Sequence, residues 1–208
     1  MCPDIVLIAQ LRTLPVLMAA GFMPVPHTMT APKRYLDERG YDSVYVPYRY
    51  RDMRDVVVYA EHIAAEAKKL SVARGSRINF VGFSLGGLAG LYAMKRLGMQ
   101  KYVASFIAVG APFHGAKVAY LAIPSLLWTP LGLQVSPGSR FLRELHADPL
   151  PLGTEDAPTR YVSIVGEEDA VCPPETGELD GAKIERLHFR HLDFFYNTPI
   201  FPVMEEYF

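Results

Sequence analysis

Short apolar runs that alternate with helix-like stretches predict an α/β protein, with a mainly parallel sheet covered by helices on both faces. Three observations carry that prediction. Apolar runs of strand length recur at residues 15–19, 43–47, 78–82, 103–110, 160–166 and 184–189. Stretches between them repeat apolar residues at helical spacing, most clearly in 53–70, where Val56, Tyr59, Ala60, Ile63, Ala64, Ala67 and Leu70 form one stripe. Glycines stand where such helices should stop: Gly40 after 31–39 and Gly98 after 85–97. Residues 199–207 suit a final short helix, and 4–11 fit either an edge strand or a helix packed outside the core.

The chain's 208 residues suit one domain with a single core. Half of them are hydrophobic and 21% are charged, an ordinary globular balance that argues against disorder. A net charge of −1 gives no field to gather nucleic acid or an acidic membrane, so neutral or weakly charged small molecules are the expected partners. Two cysteines, Cys2 and Cys172, are too few for a disulfide scaffold or zinc finger, and free thiols are expected. Met-Cys-Pro-Asp lacks the basic start of a signal peptide, and every apolar stretch falls short of the roughly 20 residues a spanning helix needs. A soluble, cytoplasmic chain is the expectation.

Residues 115–158 do not fit the alternation. They are proline-rich and include the apolar stretch 118–133 with Trp128. A connection of that length in a compact domain is expected to be a functional insertion, such as a lid or an acyl-binding wall, or else a cap on the core.

The chemistry centres on Ile78-Asn79-Phe80-Val81-Gly82-Phe83-Ser84-Leu85-Gly86-Gly87. An apolar strand runs into Gly-x-Ser-x-Gly and then a helix. Such a sharp turn tolerates only small residues two places either side of the serine, and it lifts the hydroxyl to a helix N-terminus, where a developing oxyanion is favoured. Ser84 is therefore the candidate nucleophile. It needs a base, and the base needs an acid to orient it. Past the run at 160–166, Asp169 sits in a loop stiffened by Pro173 and Pro174; Glu167 and Glu168 read as solvated neighbours. In Leu187-His188-Phe189-Arg190-His191-Leu192-Asp193, His188 falls inside the strand pattern, while His191 falls in the loop beyond and is the candidate base. A zinc site from His188, His191 and Asp193 lacks the helical spacing of known signatures, so no metal is expected. Position alone nominates the backbone N–H groups of Leu85 and Phe22 as an oxyanion hole. Phe83, His114 and Trp128 are candidate substrate contacts; His62 reads as structural.

Together these segments resemble the bacterial lipase and esterase branch of the α/β-hydrolase superfamily. The likeness runs from about residue 14 to the C-terminus, through Gly21-Phe22-Met23, the Ser84 motif, Gly110-Ala111-Pro112-Phe113-His114-Gly115, Pro137-Gly138-Ser139 with Phe141-Leu142, and the Asp169 and His191 loops. It implies a compact α/β-hydrolase fold with a short lid-like insertion. It also implies carboxylic-ester hydrolysis by Ser84, His191 and Asp169, and no cofactor. Ala20 departs from the pattern, because such proteins usually carry a His-Gly pair there; that bears on how the oxyanion loop is braced. A thioesterase or acyltransferase with the same three residues, or a non-catalytic binding protein, remain alternatives on sequence alone.

Overall fold

The computed structural model describes residues 14–22, 29–47, 49, 51–116, 129–154, 157–196 and 199–208. The run at 4–11, Cys2, His27 and Trp128 lie outside them. Strands β1 (Val16–Ala19), β2 (Ser43–Tyr45), β3 (Ile78–Phe83), β4 (Val103–Val109), β7 (Arg160–Gly166) and β8 (Lys183–Leu187) form a parallel sheet, ordered β2-β1-β3-β4-β7-β8. A two-residue hairpin, β5 (Gly153–Thr154) with β6 (Ala157–Pro158), stands apart.

The central strands are buried on both faces, which is why they read as unbroken apolar runs. On one face, Leu17, Phe80 and Phe106 pack under helices α2 (Val56–Arg74) and α3 (Leu85–Arg96). On the other, Val81, Phe83, Val109 and Ile164 pack against α1 (Thr30–Asp37) and the C-terminal α7 (Ile200–Glu205) through Leu36, Ile200, Phe201 and Met204. Helices thus cover both faces.

Helix α2 begins and ends later than the expected stretch 53–70. The Asp55 carboxylate accepts the Val57 N–H at 2.8 Å, so this side chain caps the helix and leaves 52–54 as a 3-10 turn. The helix runs on to Arg74 because its last turn faces solvent and needs no apolar residue. The final strand also differs from expectation. It ends at Leu187, after which the chain turns so that Phe189 packs on Gly166, and His188 lies outside the strand.

In the long segment after β4, two short helices, α4 (Pro130–Gln134) and α5 (Arg140–His146), place Leu131, Val135, Leu142 and Leu145 in the α2–α3 core. A further turn, α6 (Pro174–Gly177), follows β7. No helix of the described residues is long and apolar enough to cross a membrane.

Candidate active site

Ser84 sits where β3 breaks into α3, with φ 49° and ψ −119°. Among the described residues it is the one non-glycine with positive φ. Such a conformation costs about 1–3 kcal/mol and persists only where its surroundings enforce it. Two contacts do so. The Ser84 N–H donates to the Val109 carbonyl at 2.8 Å, and Gly82 lies so close to Gly87 that a Cβ on it would stand 2.6 Å from the Gly87 Cα. Side chains at both positions would push the elbow open.

The elbow aims Ser84 Oγ at His191 Nε2, 3.0 Å away, and His191 Nδ1 lies 2.7 Å from Asp169 Oδ2. Asp169 is 3% exposed, and its other oxygen accepts the backbone N–H groups of Val171 (2.8 Å) and Cys172 (2.7 Å). A buried carboxylate is tolerable when its lone pairs are this well occupied. It holds the proton on Nδ1 and leaves the Nε2 lone pair facing the serine hydroxyl. The end of β4 closes on this pair. Gly110 has φ 55°, and a Cβ there would meet Asp169 Oδ2 at 3.2 Å and His191 Nδ1 at 3.6 Å. Phe194 meets the His191 ring edge-on at 5.3 Å and backs onto Phe83.

The neighbouring carboxylates point elsewhere. Glu167 pairs with His188 and Glu168 with Arg190, all well exposed. Asp193 accepts the Arg190 N–H, so His188, His191 and Asp193 do not converge. Cys172 is free and buried, and burial pushes its thiol well above the usual range, with Asp169 adding to the shift.

The loop after β1 reaches over the hydroxyl. A Cβ on Gly21 would lie 3.0 Å from Ser84 Cβ, and one on Gly86 would meet the Ala20 carbonyl oxygen at 2.7 Å, so this loop packs beside the nucleophile and against the first turn of α3. The fully packed Tyr59 of α2 donates its hydroxyl to the Ala20 carbonyl at 3.0 Å. That bond braces the loop at the position where Ala20 departs from the resembled pattern. Sequence reasoning missed this role because Tyr59 falls on the apolar stripe. The one signal was a hydroxyl within an otherwise aliphatic row.

Two of the expected substrate contacts are engaged within the fold. Phe83 is fully buried against Phe194 and offers no surface to a ligand. The ring of His114 stacks on His146 at 4.8 Å, and its Nε2 bonds the Glu178 carbonyl group. His62 is held by Asp52 and Arg49, as a structural residue would be.

The parallel sheet, the serine elbow at the end of its third strand in sequence, and the acid and histidine in the loops after the last two define the α/β-hydrolase fold. Residues 38–126 match the family model of lecithin:cholesterol acyltransferase. No curated protein matches the chain in sequence. Among solved structures, it is similar to the mature lipase BlEst2 of Bacillus licheniformis (TM-score 0.75, 17% identity, 93% of this chain and 91% of that one). It is also similar to Aspergillus fumigatus lipase B (TM-score 0.70, 21% identity), covering 92% of this chain and 50% of that one. A third similar structure is an α/β-hydrolase enzyme from the sediment metagenome of the Mar Chica lagoon, Morocco (TM-score 0.63, 19% identity, 95% and 91%).

Proposed function

We propose that this chain is a serine hydrolase that cleaves carboxylic esters through an acyl-serine intermediate. One observation carries the reading: the hydrogen-bonded relay from Ser84 through His191 to the buried Asp169, at a strained turn. The likeness to lipases supports it.

In this mechanism Ser84 Oγ attacks the ester carbonyl carbon while His191 Nε2 takes the hydroxyl proton. Asp169 stabilises the imidazolium, and the N–H groups of Leu85 and Phe22 receive the charge on the carbonyl oxygen. Collapse breaks the C–O bond, and His191 hands its proton to the departing alcohol. Water then repeats the cycle on the acyl-serine, releasing the acid. The whole chain acts as one domain, in which Leu131, Val135, Leu142 and Leu145 of the segment after β4 cap the core.

A second reading, acyl transfer to an alcohol, is favoured by the match of residues 38–126 to an acyltransferase family. It differs only in which hydroxyl intercepts the acyl-serine. Hydrolysis of p-nitrophenyl butyrate, measured with and without added alcohol, tests both. Release of p-nitrophenol with free acid as product supports hydrolysis, new ester as the main product supports transfer, and no release contradicts both.

A further inference from the structure

The sheet edge opposite Ser84 carries a second cluster of polar groups that the proposed reaction does not use. Asn79, on β3, is fully buried, and neither its Oδ1 nor its Nδ2 has a hydrogen-bond partner. A buried carboxamide left unpaired is costly, and native proteins rarely keep one unless something occupies it. Asn79 stands opposite Ser105 on β4, and Ser105 opposite Arg160 on β7, so the three form one row across adjacent strands on the same sheet face. The register shifts between Ile78 and Asn79, which opens the ladder beside this row.

The row lines a cavity of about 330 Å³, walled by Leu14 and Phe208 and edged by Thr159. That size is at the lower end for small-molecule pockets, roughly 300–1,000 Å³. Thr159 is already engaged, donating to the Val103 carbonyl and accepting from Arg77. Ser105 is 4% exposed. Arg160 is exposed at the rim and spends one N–H on the Tyr207 carbonyl. Among the described residues no Asp or Glu side chain lines the cavity, and Arg77 hydrogen-bonds Thr159 at its edge.

We propose that this basal cavity is a binding site for a small polyhydroxylated carboxylate. A hydroxyl both donates and accepts, which is what the Asn79 amide asks for with its free Oδ1 and Nδ2. A second hydroxyl meets Ser105. The carboxylate reaches Arg160, whose planar guanidinium suits it. Strands lie about 4.8 Å apart, so Asn79 and Arg160 are separated by about 10 Å, the reach of a chain of five or six carbons.

The test uses the whole chain with D-gluconate as probe, and sorbitol and hexanoate as partial probes, read by thermal shift and titration calorimetry. Gluconate should raise Tm in proportion to the logarithm of its concentration, and bind about tenfold tighter than either partial probe. Asn79→Leu should abolish gluconate binding yet leave the ligand-free protein at least as heat-stable, because an orphaned polar group has been removed. Arg160→Gln, at an exposed position, should weaken gluconate about tenfold and leave sorbitol unchanged. The proposal is overturned if gluconate up to about 10 mM gives no shift or heat. It is also overturned if Asn79→Leu is less stable without ligand, which would mean that ordered water satisfies Asn79. Should Asn79→Leu fail to fold, equal affinity of gluconate for Arg160→Gln and wild type overturns it as well.

Discussion

Strand β3 has two polar ends that the fold treats differently. At its carboxyl end Ser84 is strained, yet its own polar groups and the acid are engaged: its N–H by Val109, its hydroxyl by His191, and Asp169 by three donors. At its amino end Asn79 stands beside a register shift, and its side-chain amide has no partner. The first end stores strain inside a closed network, the pattern expected where positions must hold to a few tenths of an ångström during a reaction. The second is a cavity whose polar walls are unspent. Substitutions at the carboxyl end should therefore remove activity and spare the fold; those at the amino end should leave ester hydrolysis intact.

The sharpest break in that comparison is Ser84→Ala. It should lower kcat for ester hydrolysis by on the order of 10⁶, with circular dichroism unchanged and Tm little altered, because alanine keeps the Cβ and the same backbone conformation. His191→Ala should be nearly as severe, because the two residues act as a unit, and Asp169→Asn should cost on the order of 10⁴ by releasing the imidazole from its tautomer. His188→Ala, lost from an exposed pair with Glu167, should leave kcat/KM unchanged. If the two histidines exchanged these results, the relay would be misassigned.

Tyr59→Phe makes a finer cut. The ring stays packed, and only the hydroxyl that holds the Ala20 carbonyl is lost. If that bond sets the Phe22 N–H, kcat should fall about tenfold while KM changes less than about twofold. A fall in Tm with kcat intact would make Tyr59 a packing residue. The mirror experiment lies at the amino end, where Arg77 ties the hairpin to β4 through the Ala157 and Val103 carbonyls and Thr159. Arg77→Met should destabilise by about 1–3 kcal/mol, a few degrees in Tm, and leave kcat per folded molecule untouched.

The smallest effect expected is a pH dependence of stability. Burial is the main cause that lowers the pKa of His146, which lies half-buried against His114. The folded protein then takes up this proton less readily than the unfolded chain. Its contribution is present above the ordinary histidine value of about 6.5 and is lost as pH falls below it. His146→Gln should flatten the decline of Tm between about pH 6.5 and 5, and an unchanged slope would remove His146 from that account.

The elbow was legible because strand, small residues and helix occur in one unbroken string around Ser84, so local sequence contains the whole signal. His188 was set apart from His191 as a residue of the strand, but β8 ends one residue before it; what separates the two is that His191 bridges Ser84 and Asp169 while His188 pairs with Glu167. Tyr59 was not legible, since its partner Ala20 is 39 residues away and a stripe of buried residues records packing, not what a hydroxyl touches. The helices at 130–134, 140–146 and 174–177 span two turns or fewer, too short for periodicity to register, and two of them begin at proline. Asn79 was hidden for a related reason: within 78–82 it read as one more residue of an apolar run. Only the register with Ser105 and Arg160 makes it part of a row.

The central claim is that Ser84 is a nucleophile activated by His191. A fluorophosphonate probe reacts with an activated serine and leaves the others alone, so mass mapping of the labelled chain tests that claim directly. The account predicts one modified residue, Ser84, labelled at a rate that falls by orders of magnitude in His191→Ala and is absent in Ser84→Ala. Labelling at another residue, or undiminished labelling of Ser84 without His191, would contradict it.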